Sequence, residues 1–150
     1  MCLKCFLFAL IKTIFVILNT SKMERKIIIT AAIFGMLAII LGAFGAHALK
    51  AILTPEQLTS FETGVRYQMY HAFFLFFVAS RKELSLKTLK VIYNLVLGGV
   101  LLFSGSIFLL TTKNVTTIDF KIIGFVTPIG GFLLILAWFV LLATFFKKKS

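Results

Sequence analysis

From Ile27 to Leu49 the chain runs through 23 positions without a charged side chain, and His47 is the only strongly polar group among them. Coiled as a helix at about 1.5 Å per residue, that segment reaches about 34 Å, against a hydrocarbon layer of about 30 Å. A run this long restricts the chain to folds that cross a membrane. Two more runs meet the same condition. Val91 to Thr112 holds Asn94 but no charge, and Ile122 to Phe146 is closed by Lys147, Lys148 and Lys149.

A further helix is marked by its start. Thr54-Pro55-Glu56-Gln57 supplies a capping hydroxyl, a proline at the first helical position and a glutamine placed to close a capping box. Glu62 and Arg66 make its first half amphipathic, and its uncharged stretch, from Tyr67 to Ser80, is short for a span standing alone. Arg66 reaches the headgroups by snorkelling, and Tyr67 and Tyr70 suit an interfacial belt. The expected fold is therefore all-α, an integral membrane four-helix bundle with spans at about 27–49, 55–80, 91–112 and 122–146.

Composition agrees. Apolar residues make up 60% of the chain and charged residues 14%, yet the formal charge is +11. High hydrophobicity excludes a disordered polymer, and two cysteines exclude a disulfide scaffold. Ten of the sixteen basic residues fall on one side: Lys22, Arg25 and Lys26, then Arg81, Lys82, Lys87 and Lys90, then the three lysines at the end. The other side carries Lys50, Arg66, Lys113 and Lys121, offset by Glu56, Glu62 and Asp119. The positive-inside rule then places the N and C termini and the middle loop in the cytoplasm. The same lysines bracket hydrophobic spans, so the expected partner is the lipid bilayer, with anionic lipid at the cytoplasmic face, and not nucleic acid.

Residues 1–22 form an N-terminal extension whose apolar run is broken by Lys12 and lacks a small-x-small cleavage site. Met23-Glu24-Arg25-Lys26 reads as an ordinary protein start, so the extension is taken as a mis-assigned start, with an uncleaved interfacial helix as the alternative. Cys2 and Cys5 form one C-x-x-C without a second pair, and no metal site is expected from them.

Helices in lipid associate through close packing, so small residues mark their contacts. On the first span Ala31, Gly35, Ala38, Gly42, Gly45 and Ala46 share an arc of roughly 100°. The third span offers Gly98 and Gly105 for packing, and the fourth offers Gly124, Pro128 and Gly131, with Trp138 on the same side. Pro128 is expected to kink its helix.

The polar residues weighed as a binding site are His47 at the end of the first span, with Arg66, Tyr67, Gln68, Tyr70 and His71 on the second helix. Gly64, Tyr67, Gln68 and His71 share one face, while Glu62, Arg66 and Tyr70 lie on another. Ionisable groups at membrane depth point to function by default. The competing reading is a polar clamp locking helices together. His47, extrapolated along a regular helix, points about 160° away from the small-residue face of its own helix.

Four motifs stand in order: Gly42-Ala43-Phe44-Gly45-Ala46-His47-Ala48-Leu49, Phe61-Glu62-Thr63-Gly64-Val65-Arg66-Tyr67-Gln68-Met69-Tyr70-His71-Ala72, Leu102-Phe103-Ser104-Gly105-Ser106, and Thr127-Pro128-Ile129-Gly130-Gly131 with Trp138. From about Met23 to the C terminus the chain resembles the small integral membrane proteins of the domain of unknown function 423 family, related to eukaryotic transmembrane protein 256. The resemblance implies a compact multi-span membrane protein, commonly bacterial, and carries no activity or catalytic residue with it.

The expected role is a structural or accessory component of the cell membrane, most naturally a bacterial inner membrane, as a homo-oligomer or within a larger membrane complex. No nucleophile–base arrangement, phosphate loop or paired carboxylates point to an enzyme, and no cofactor is called for. Two alternatives stand beside this role. One is a small solute or ion transporter with a polar site near the outer leaflet, although no carboxylate lies mid-span. The other is a haem- or quinone-binding module using His47 and His71 from two helices.

Overall fold

A computed structural model describes residues 22–112 and 124–147. The extension with Cys2 and Cys5, the outer-loop residues Lys113, Asp119 and Lys121, and Lys148 and Lys149 lie outside the described residues. Four helices make up the fold: α1 (Lys22–Ala46), α2 (Pro55–Ser80), α3 (Leu86–Thr111) and α4 (Val126–Lys147), with a 3-10 turn at Leu49–Ala51 between the first two. The described residues contain no strand.

The start of α2 follows its sequence signal. Thr54 Oγ1 accepts the Gln57 N–H at 3.3 Å, and Gln57 Oε1 accepts the Thr54 N–H at 3.0 Å, which completes the capping box. Thr54→Ala is expected to lower the unfolding free energy by about 1 kcal/mol, the usual cost of losing such a cap, as read by denaturant titration in mixed micelles. The α3 start was less visible. Charge-free counting placed it at Val91, because Lys87 and Lys90 interrupt the apolar run. The helix instead begins at Leu86, with Ser85 accepting the Thr88 N–H at 3.1 Å.

Neighbouring helices run antiparallel, and single contacts fix their registers. A Cβ added at Gly45 would meet the Phe61 ring at 3.3 Å, one at Gly42 would meet Val65 at 3.6 Å, and one at Gly35 would meet Ala72 at 3.9 Å. Between α2 and α3 the rings of Phe61 and Phe108 lie 5.0 Å apart, and those of Tyr67 and Phe103 lie 4.7 Å apart. α4 packs chiefly on α3, and touches α2 through the Phe74 and Trp138 rings, 4.3 Å apart.

Three helical segments, Lys22–Ala51, Leu86–Thr111 and Val126–Phe146, are long and apolar enough to cross a membrane. α2 falls short on composition, because Glu56, Glu62 and Arg66 dilute its first half. It nevertheless lies alongside α1, from Gly45 to Gly35 and beyond. The surface fits a lipid environment: Ile39, Phe132, Ile135, Phe139 and Phe146 all point outward and are each more than half exposed.

The apolar core fills one half of the bundle. Ile27 and Ala31 of α1, Leu75 and Val78 of α2, Ile92 and Val96 of α3, and Ala137 of α4 are sealed from solvent there. The other half, towards His47, is seamed with Ser104, Ser106 and Thr111, all buried.

No described glycine adopts a left-handed φ, so these glycines are used for space and not for backbone freedom. The tight crossing is made by Gly99 and Gly130, the neighbours of two glycines singled out from sequence. A Cβ at Gly130 would strike the Phe103 backbone nitrogen and sit 2.7 Å from the Leu102 carbonyl carbon. One at Gly99 would strike Leu134 and come within 3.2 Å of the Gly130 carbonyl oxygen. Gly98 and Gly131 instead have ordinary contact distances of 3.5 Å, to Leu133 and Phe103 respectively.

Three sequence expectations need correction. Gly105 and Gly124 face open space among the described residues. Ala46 is exposed, because α1 ends there and the chain turns away, whereas Ala38 and Gly45 are buried as their face requires. Pro128 lies in the first turn of α4, where the N–H groups lack intrahelical acceptors, so it fits without forcing a kink.

Candidate functional site

The face of α2 that carries Gly64, Gln68 and His71 turns inward, and all three are buried. Glu62, Arg66 and Tyr70 are exposed on the other side, and Tyr67 stands between, 40% exposed. The sequence residues thus divide into an interior pair, Gln68 and His71, and a set at the surface.

Gln68 reaches across to α1. Its Nε2 donates to the Phe34 carbonyl oxygen at 2.9 Å, with both groups buried. A helical carbonyl has a second lone pair, so Phe34 accepts this bond without giving up its place in α1. In lipid an unmatched carboxamide has no water to turn to, and the bond joins α1 to α2 near the middle of each.

His71 is held differently. Its Nδ1 lies 2.8 Å from the Tyr67 carbonyl oxygen, one turn back on its own helix. A carbonyl only accepts, so Nδ1 carries the proton, and in the neutral ring Nε2 is left as an acceptor. That Nε2 is buried without a hydrogen-bond partner among the described residues. The ring packs beside Tyr67, with centroids 6.3 Å apart, and edge-on to Phe74 at 6.1 Å. Ser104 Oγ, on the face of α3 that meets α2, is likewise buried and unpartnered.

His47 is elsewhere. It is exposed just beyond the end of α1, where its N–H still donates to the Ala43 carbonyl at 3.2 Å. The register places neighbouring Gly45 against Phe61, ten residues before His71, and His47 lies two residues further on, so the two histidine positions are more than about 15 Å apart along the bundle. They share no site, and they cannot serve as two ligands of one haem iron. Arg66 does not complete a cluster either: its guanidinium donates to Thr63 Oγ1 at 3.0 Å, out on the surface. The described residues contain no group of three or more His, Cys, Asp or Glu side chains able to hold a metal ion.

Two features were not read from the sequence. Ser106 Oγ and Thr127 Oγ1 lie 2.6 Å apart and tie α3 to α4. Close by, a cleft of about 370 Å³ opens between the start of α2 and the end of α3, lined in part by Glu56, Gln57, Thr111 and Thr127. None of the six candidate binding residues lines it. A hydroxyl pair 21 residues apart leaves no local pattern, so only the α3–α4 register reveals it.

A bundle with lipid-facing apolar surfaces, three membrane-length helices and an interior tied by side-chain hydrogen bonds defines a small helical integral membrane protein. Its relatives are of the same class. The chain belongs to the DUF423 family, described as a protein of unknown function, whose model matches residues 41–131. It is 37% identical over 125 residues to the UPF0382 membrane protein YwdK of Bacillus subtilis, covering 82% of this chain and 98% of that one. It is 35% identical over 128 residues to a UPF0382 membrane protein of Haemophilus influenzae, covering 85% and 99%. No solved structure matches the chain.

Proposed function

We propose that the protein is a structural or accessory component of a bacterial cell membrane, with its polar interior used to lock helices together and not for catalysis. The observation that carries this reading is the Gln68–Phe34 bond, which spends the most buried carboxamide of α2 on the backbone of α1. His71 places its one ring N–H on its own helix, so the link from α2 to α1 rests on Gln68. The distribution of basic residues supports an orientation with both ends and the middle loop in the cytoplasm, where anionic lipid meets them. Assembly as a homo-oligomer or within a larger membrane complex suits a protein whose role lies in its surfaces.

The test compares stability with location. Gln68→Leu keeps the volume and removes the bond, and is expected to lower the unfolding free energy by about 0.6–1.7 kcal/mol, the range for interhelical hydrogen bonds in membranes. A variant as stable as the parent would refute the clamp. Orientation is read separately in a background without Cys2 and Cys5. Ser85→Cys is expected to resist an impermeant maleimide in intact cells and to react after permeabilisation, while Lys50→Cys reacts in both; the reverse pattern would invert the topology.

A further inference from the structure

Both α2 and α4 pack on α3, yet no described residue of α4 brings its Cα within 8 Å of one in α2. The interval is spanned by side chains: Phe74 of α2 meets Trp138 of α4 with ring centroids 4.3 Å apart. Trp138 is 53% exposed and Phe77, one turn from Phe74, is 45% exposed, so this seam opens sideways to lipid.

At its end stands Arg81, the residue that closes α2. Its guanidinium carbon lies 4.7 Å from the centre of the Phe77 ring, which holds the planar cation at the mouth of the seam. Its Nε is buried and makes no hydrogen bond to any described residue. Seven residues separate Arg81 from Phe74, about 10 Å along the helix. The Phe74–Trp138 contact therefore sits within one leaflet, whose tails fill about half of the roughly 30 Å hydrocarbon layer.

We propose that the α2–α4 seam binds one anionic phospholipid, with its phosphate on the Arg81 guanidinium and an acyl chain laid over the exposed faces of Phe77 and Trp138, above the buried Phe74. The chemistry is complementary at both ends. A guanidinium offers a fork of N–H donors that matches phosphate oxygens, and the stack on Phe77 orients that fork before the lipid arrives. The exposed rings of Phe77 and Trp138 offer apolar contact at the depth of the chain. The exposed lysines of the same edge attract anionic lipid diffusely, whereas Arg81 would hold one molecule in place. This site depends on the membrane fold and not on the clamp, so the Gln68→Leu result leaves it untouched.

Trp138 is the only tryptophan in the chain, so its fluorescence reports on the seam directly. Full-length protein is reconstituted in vesicles containing phosphatidylglycerol or phosphatidylcholine brominated midway along the acyl chain, and quenching is followed as the two compete. The parent is expected to prefer the anionic lipid about fivefold, the scale of one cation at the membrane surface. Arg81→Gln is expected to bring that ratio close to one, while Lys82→Gln leaves it near fivefold. Arg81→Lys keeps the charge without the stacked plane and is expected to lose at least half of the preference; it serves as the second variant if Arg81→Gln fails to fold by circular dichroism. Equal quenching by both lipids in the parent would overturn the proposal. So would a preference that survives in Arg81→Gln, or one lost equally in Lys82→Gln, which would mark diffuse attraction only.

Discussion

Gly130→Ala is expected to destabilise the protein by about 3 kcal/mol, the upper part of the range for overpacking, when unfolding is titrated in mixed micelles. One methyl group has this effect because of what it meets. The new Cβ would press on the Phe103 amide nitrogen and stand 2.7 Å from the Leu102 carbonyl carbon and 2.8 Å from the Phe103 Cα, all of them backbone in the middle of α3. Helical backbone cannot rotate away as a side-chain tip can, so α4 must lift away from α3. The Ser106–Thr127 bond, one turn away at 2.6 Å, would be strained with it. Gly131→Ala is the control. Its Cβ would meet the Phe103 ring at an ordinary 3.5 Å, and a change within about 0.5 kcal/mol is expected. Comparable losses for the two variants would show that the crossing is not built on Gly130.

Gly64→Leu ranks second, with an expected loss of about 2–3 kcal/mol in the same titration. A Cβ at Gly64 would lie 2.8 Å from Phe108 Cε1 and 3.2 Å from Ile107 Cγ2. Both obstacles are side-chain atoms, which have more room to yield than backbone, so Gly64→Ala is expected to cost only about 1 kcal/mol. Retreat is limited, however, because Phe108 packs against the tilted ring of Phe61, which in turn closes on Gly45 of α1. The extra carbons of leucine have no such exit. Gly105→Leu, facing open space among the described residues, is expected to leave stability unchanged within about 0.5 kcal/mol.

Helix number and the α2 cap were legible in the sequence because each leaves a local mark: a long uncharged run, or a hydroxyl three residues before a glutamine. The inward face of α2 was legible for a similar reason, since a regular helix carries phase over the short distance from Gly64 to His71. Contacts between helices were less so. Gly98-Gly99 and Gly130-Gly131 are adjacent pairs, and which member faces the neighbouring helix depends on the crossing itself. Helical phase alone points to Gly98 and Gly131, whereas the structure packs on Gly99 and Gly130. Whether His47 and His71 share a site is open in the sequence, because the topology puts both in the half of the chain facing one side while helical phase turns His47 away. Register separates them, and register is set by Gly45 meeting Phe61, a contact that neither local sequence contains. The Gln68–Phe34 bond was hidden for another reason: its acceptor is a backbone carbonyl, which any residue type supplies.

The register of α1 against α2 underlies the separation of His47 from His71 and the Gln68–Phe34 bond, and disulfide trapping tests it directly. In a background lacking Cys2 and Cys5, Gly42→Cys with Val65→Cys joins positions where the added Cβ and the valine side chain stand 3.6 Å apart, within reach of a disulfide. Oxidation in native membranes is expected to link that pair nearly completely, and to leave His47→Cys with His71→Cys unlinked across more than about 15 Å of helix. Efficient linkage of the histidine positions, with none between 42 and 65, would contradict the packing and restore a shared histidine site.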